Sequence, residues 1–242
     1  MGFRNRVNAT WVKLQGGKFY IPNPKGEQIL VNTKGNTSYY DTCDAVDCYL
    51  KSIKYKESAN SDFGPQWIFE FLTDDGQPFV LAASSMSYLP YSLMNSFASI
   101  EKFGKLELEA AGAVKDGKVL TNIYIKNNGE KVLWKWKLDE IVQPVPLLDS
   151  DGDPIIENGK QKRSFKKVIA HYQAAVLPGI LEVLANSPVG ATSDDVEYVY
   201  EQDDAPPESA PPSKAPNTQQ NTQPAAKAPK FPEGGYDDDI PF

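Results

Sequence analysis

The sequence predicts a mainly β body carrying one or two helices, followed by a disordered acidic tail. Three observations predict this. Short stretches alternate apolar and polar residues between Asp-Gly and Asn-Gly turns. One stretch at helical spacing interrupts them, and the composition changes abruptly after Gly190.

Taken in order, "RVNATWVKLQ" and "KFYIP" read as opening strands. "VDCYLKSIKYKE" alternates with period two, which predicts Tyr49, Lys51, Ile53 and Tyr55 on one face. "WIFEFLTDDGQPFVLAA" is a hairpin signal, with apolar runs flanking Asp75-Gly76. In it Trp67, Phe69 and Phe71 share a face suited to core packing, opposite Glu70. Leu93, Phe97 and Ile100 fall at helical spacing, with Gly104 as the expected stop. Strands resume in "KLELEAAGAV", turn at Asp116-Gly117, and continue through "KVLTNIYIK", Asn128-Gly129 and "EKVLWKWKLDEI". The stretch "FKKVIAHYQAAVLPGILEVLANS" reads as a helix bent or broken near Pro178. A helix set within a meander of short strands suggests an OB-fold-like barrel over residues 1–190, with an immunoglobulin-like sandwich as the alternative.

Charge separates the chain into two parts. The whole chain is −7, but residues 191–242 alone carry −8, so residues 1–190 are close to neutral. The acidic balance belongs to the tail and excludes nothing about the body's partners. Residues 191–236, rich in Pro, Ala and Gln, cannot bury enough apolar surface to offset chain entropy, which predicts a disordered linker.

Several classes fall away. The basic opening has no apolar h-region, Arg6 stands where myristoylation requires Ser or Thr, and no stretch reaches about 18 apolar residues. The expectation is a cytoplasmic protein with no membrane association. Cys43 and Cys48 make no disulfide framework, and His171 alone builds no zinc site, so no cofactor or metal is expected. Asp149, Asp151 and Asp153 are spaced like a calcium loop, but Pro154 stands where that loop needs glycine, which favours turn chemistry. No catalytic constellation is evident, so an enzyme is not expected.

The chain ends on Asp237, Asp238, Asp239, Ile240, Pro241 and Phe242. Three carboxylates attract a basic surface, while Ile240 and Phe242 supply apolar anchors on either side of a stiff proline. A solubility tail has no use for apolar residues at its extreme end. This tip resembles that of bacterial single-stranded DNA-binding proteins, in which a barrel of the OB class precedes a Pro/Gln/Gly-rich linker and an acidic, Phe-ended peptide. The resemblance implies that the body coats single strands and that residues 237–242 recruit replication, recombination and repair proteins. Residues 1–190 depart from the shorter bacterial body. That departure points to a divergent, bacteriophage-encoded member acting in the host cytoplasm, as a monomer or dimer rather than a tetramer.

Binding single strands without reading sequence needs cations along the phosphates and aromatic faces for the bases. The body offers four candidate groups. "KVLWKWKL" sets Trp134 and Trp136 on one strand face and Lys135 and Lys137 on the other, the competing reading being tryptophans in the core. Tyr55 with Lys54 and Lys56 forms a second group, unless Tyr55 caps the core rim. Tyr39 and Tyr40 read as adjacent loop aromatics, of which at least one must be exposed, and Trp11 beside Lys13 adds another pair. Lys160, Lys162, Arg163, Lys166 and Lys167 form the densest basic patch, either a DNA contact, a resting site for the tip or a solvated loop. The alternative function is a protein adaptor with a generic acidic tail, and behind it a metal-dependent nuclease using Asp149–Asp153.

Overall fold

The computed structural model describes residues 9–31, 37–57, 64–115, 118–157 and 160–187. The linker and the tip expected over residues 191–242 lie outside the described residues, as does the Asp116-Gly117 turn.

The body is mainly β. Ten strands make one sheet: β1 (Thr10–Gln15), β2 (Lys18–Pro22), β3 (Gln28–Val31), β4 (Thr37–Cys43), β5 (Ala45–Lys56), β6 (Gln66–Thr73), β7 (Pro78–Ser84), β8 (Leu106–Lys115), β9 (Lys118–Asn127) and β10 (Glu130–Lys131). Their order is β10-β9-β8-β5-β6-β7-β1-β2-β4-β3, antiparallel throughout except between β7 and β1. The β9–β10 turn uses Asn128 and Gly129 at φ 53° and 82°, the left-handed pair that a two-residue hairpin requires.

The described strands form an open ladder rather than a closed barrel. The sheet curls, however, until the β1–β2 turn meets β8. Gly17, at φ 76°, lies so close that a Cβ would stand 2.3 Å from the Gly112 nitrogen. Its N–H reaches Thr121 Oγ1 at 3.3 Å. The approach is backbone against backbone, with glycine on both sides.

Inside the curl lies one apolar cluster. Ile53, Trp67, Phe69, Phe71, Leu81 and Val12 line it from the sheet, and Phe71 stacks on Phe79 at 5.0 Å. The helix predicted from Leu93, Phe97 and Ile100 is α1 (Leu89–Phe97), and all three residues are buried. It stops at Phe97 rather than running to Gly104.

The C-terminal helix is continuous over Lys166–Ala185: α2 (Lys166–His171), a π-helical turn Tyr172–Val176, and α3 (Leu177–Ala185). Val168, Tyr172, Val176, Ile180 and Leu184 are all buried, a row repeating every four residues. At 3.6 residues per turn such a row drifts around an α-helix by about 40° per step. The wider π turn takes back part of that drift and keeps the row on the core. It also lies one residue before Pro178, whose missing N–H and bulky ring it accommodates, so the helix is not broken there. This helix is long and apolar enough to cross a membrane, with a hydropathy of 1.5, where the sequence reading found no such stretch. Its buried row belongs to the core cluster.

Three further readings are corrected. β5 carries a bulge between Leu50 and Ser52, so Cys48 and Leu50 are buried before it and Ile53 after it. One unpaired residue reverses the facing, and Tyr49, Lys51, Ile53 and Tyr55 do not share a side. Tyr39 and Tyr40 lie in strand β4, not in a loop, and strand alternation exposes the first and buries the second. "VLWKWKL" is not a strand: β10 ends at Lys131, and an irregular strap that bends at Lys135 and Trp136 follows it.

Candidate nucleic-acid interface

Strand register decides which candidates meet. Ser52 pairs with Glu70, Glu70 with Val80 and Val80 with Trp11, so these four form a row on the outer side of the sheet. One step along, Lys54, Ile68 and Ala82 form the next row. Lys13 pairs with Tyr20 and Tyr20 with Thr42, and Tyr40 follows on β4 two residues before Thr42. Trp11, Lys13, Lys54, Lys56 and Tyr40, scattered in sequence, therefore share one sheet face.

The geometry of that face is specific. Lys13 Nζ lies 5.1 Å from the Tyr40 ring centre, and Tyr20 meets Tyr40 edge to face at 6.0 Å. Tyr40 is only 4 % exposed, so it supports Lys13 rather than offering a stacking face. Trp11 and Tyr20 are half-buried and present part of each ring. Glu70 is buried on this same side. Its carboxylate accepts from Lys54 Nζ at 2.6 Å and from Ser52 Oγ at 2.5 Å. These bonds give a side chain held out of water the hydrogen-bond partners that burial demands. Tyr55 turns to the inner side, against Trp67 at 5.1 Å, as the core-rim reading has it. Burial raises its phenol above the ordinary pKa, with Glu57 adding to the shift.

The strap is a separate surface. The Trp136 N–H donates to Asn95 Oδ1 at 3.0 Å, and its carbonyl accepts from Asn95 Nδ2 at 2.9 Å. Ser99 Oγ donates to the Leu133 carbonyl at 2.7 Å. Asn95 of α1 and Ser99, two residues beyond its end, thus take the place of a partner strand. Trp136 packs against the core and carries Lys135 Nζ 5.1 Å from its ring centre. Trp134 is half-buried, and Lys135 and Lys137 are exposed.

The basic patch flanks the other end of α1. It sits on an arm of short strands, β11 (Val145–Pro146), β12 (Ile156–Glu157), β13 (Lys160–Gln161) and β14 (Arg163–Ser164). Arg163 Nη1 donates to Tyr88 Oη at 3.2 Å, and Lys162 pairs with Glu157 at 2.7 Å. Lys160 is half-buried, while Lys166 and Lys167 are exposed in the first turn of α2. Cations there oppose the helix dipole, so the helix gains nothing from them. In the arm's turn, Asp149 Oδ1 accepts the Asp151 and Asp153 N–H groups at 3.0 and 2.9 Å, the turn chemistry the sequence favours. Among the described residues no His, Cys, Asp or Glu group is arranged to hold a metal ion.

A third region has the opposite sign. Lys105 lies between Asp47 and Asp74, and Lys126 pairs with Glu107 at 2.6 Å. Hydrogen bonds donated to those carboxylates raise both lysines above their ordinary range. Cations neutralised in this way attract phosphate weakly, so this end of the sheet does not extend the basic face. Sequence reasoning missed Tyr20, Glu70 and Asn95. The alternation of "KFYIP" was the signal for Tyr20, whereas Glu70 and Asn95 gave none.

Comparisons with protein-family models, with curated proteins and with solved structures return no match to this chain.

Proposed function

We propose that this protein binds single-stranded DNA without sequence preference and recruits partner proteins through residues 237–242. The observation that carries the reading is the end of the chain, three aspartates followed by Ile240, Pro241 and Phe242 behind a Pro-rich linker. The outer sheet face supports it, because Trp11, Tyr20, Lys13 and Lys54 combine ring surface with cations in adjoining rows. On this reading the curled sheet is an OB-type barrel, the bases lie along β1 and β2, and the phosphates meet Lys13, Lys54 and Lys56. The strap and the basic patch, both anchored on α1, form a second surface for a longer strand. Coating of exposed strands in replication, recombination and repair follows, in a phage-infected bacterial cytoplasm.

Fluorescence and gel-shift titration with oligo(dT) at several salt concentrations tests the body. Salt-sensitive binding that weakens in Trp11→Ala and Lys13→Ala supports the sheet face. Binding that weakens only in Trp134→Ala transfers the site to the strap. No salt-sensitive binding decides for a protein adaptor. Removing residues 237–242 should leave DNA affinity unchanged or raised and abolish partner recruitment.

A further inference from the structure

The C-terminal helix buries one side and leaves an uncharged side open. No charged residue falls between Val168 and Leu181, although only 28 % of that apolar stretch is buried. Two residues along an α-helix turn through about 200°, so a residue two places from a buried one faces away from the core. For the buried row those residues are Lys166, Ala170, Ala174, Pro178 and Glu182, and all five are exposed. The π turn that keeps the buried row on the core keeps this outer row in line as well. The result is a strip of small apolar residues with a cation at one end and an anion at the other.

Both charges sit where their own helix gains nothing from them. Lys166 opens α2 and Glu182 lies in the last turn of α3, so each opposes the dipole at its end. Neither side chain has an ion-pair partner among the described residues. Their neighbours do not cancel them. Lys167 repeats the positive charge at the first end. At the other, Phe103 N–H donates to Ser187 Oγ at 2.9 Å, and the adjoining Glu101 and Lys102 offset each other.

A second copy of the same helix, running antiparallel, matches this strip. With a two-fold axis at Ala174, Lys166 of each copy stands opposite Glu182 of the other, and Ala170 opposite Pro178. Ala174 is midway in both pairs, so one register satisfies both. Each cation then meets a carboxylate and the negative end of the other helix, and each carboxylate meets a positive end. Placements that oppose the dipole within one chain favour it across the pair. Alanine at the contact lets the two axes approach to about 8 Å.

We propose that the outer face of the C-terminal helix, Lys166 to Glu182, is the contact between two copies of this chain. A single helix pair covers little area, so the dimer is reversible and builds up with concentration.

Sedimentation equilibrium of the full chain over a range of concentrations, compared with three variants, tests this. Lys166→Glu and Glu182→Lys each turn attraction into repulsion at both ends of the pair, and each should weaken association roughly tenfold. Both changes suit the dipole of the isolated helix, so the fold is not at risk and Tm holds or rises. Combining them exchanges the charges and should restore the dimer. A monomer at every concentration of the unchanged chain overturns the proposal. So does a dimer that survives both single changes, or one that the combined change fails to restore. Flotation of a monomeric chain with phosphatidylcholine vesicles gives this face to a lipid surface, and overturns it too. No nucleic acid enters the measurement, so its outcome is independent of the oligo(dT) titrations.

Discussion

The side-chain amide of Asn95 bonds both backbone groups of Trp136, its Oδ1 accepting the N–H at 3.0 Å and its Nδ2 donating to the carbonyl at 2.9 Å. Asn95 is 1 % exposed, so both bonds form away from water. A helix residue thereby holds an irregular segment by its backbone, as a neighbouring strand would. Asn95→Ala strands two backbone groups at a half-buried site and should lower stability by about 1–3 kcal/mol. Urea unfolding measures the loss. Trp136 emission in the folded variant should shift to the red as the strap lifts from α1.

Glu70 and Lys54 form the second such pair, at 2.6 Å with the carboxylate buried and the ammonium largely exposed. If phosphate meets this face, it competes with Glu70 for Lys54. Glu70→Gln should then raise affinity for oligo(dT) and steepen the salt dependence by up to about one unit of slope, because Lys54 loses its carboxylate competitor for phosphate. Lys54→Ala should make the slope shallower by a similar amount. Unchanged slopes in both variants would place the DNA elsewhere.

Gly16 and Gly17 share a turn but not a fate. Both have positive φ, 60° and 76°, yet only Gly17 lies against the backbone of Ala111 and Gly112. Gly16→Ala should cost about 1 kcal/mol for its left-handed backbone. Gly17→Ala adds a backbone clash and should cost more than about 2 kcal/mol. The comparison by urea unfolding reports how much the approach of the β1–β2 turn to β8 contributes to stability.

Burial raises the Tyr91 and Tyr172 phenols far above their ordinary value. In the unfolded chain both ionise near pH 10. Their contribution is therefore fully present below about pH 10 and is lost as pH rises beyond it, by ~1.4 kcal/mol per pH unit for each ring. Thermal unfolding followed from pH 8 to 11 should show Tm falling above pH 10, less steeply in Tyr172→Phe.

Much of the body was legible in the sequence because the signals were local. Asp75-Gly76 and Asn128-Gly129 turn as their residue types require, and Leu93, Phe97 and Ile100 mark α1. The failures share a cause, which is a partner distant in sequence. Alternation in "VLWKWKL" reads as a strand, but its hydrogen-bonding partner is a helix side chain. Alternation in β5 predicts a uniform facing, but the bulge opposite β6 reverses it at Lys51.

The sequence by itself determined the strand-rich body, the hairpin turns, the central helix and the charge division between a near-neutral body and an acidic, Phe-ended tail. Composition and short-range periodicity carry those features without reference to any other segment. Only the tertiary structure decided that Trp11, Lys13, Tyr20 and Lys54 share a sheet face, while Trp134 and Trp136 belong to a strap on α1. Strand order and register set those neighbours, and both arise from pairings between segments far apart in the chain, such as the parallel match of β1 with β7.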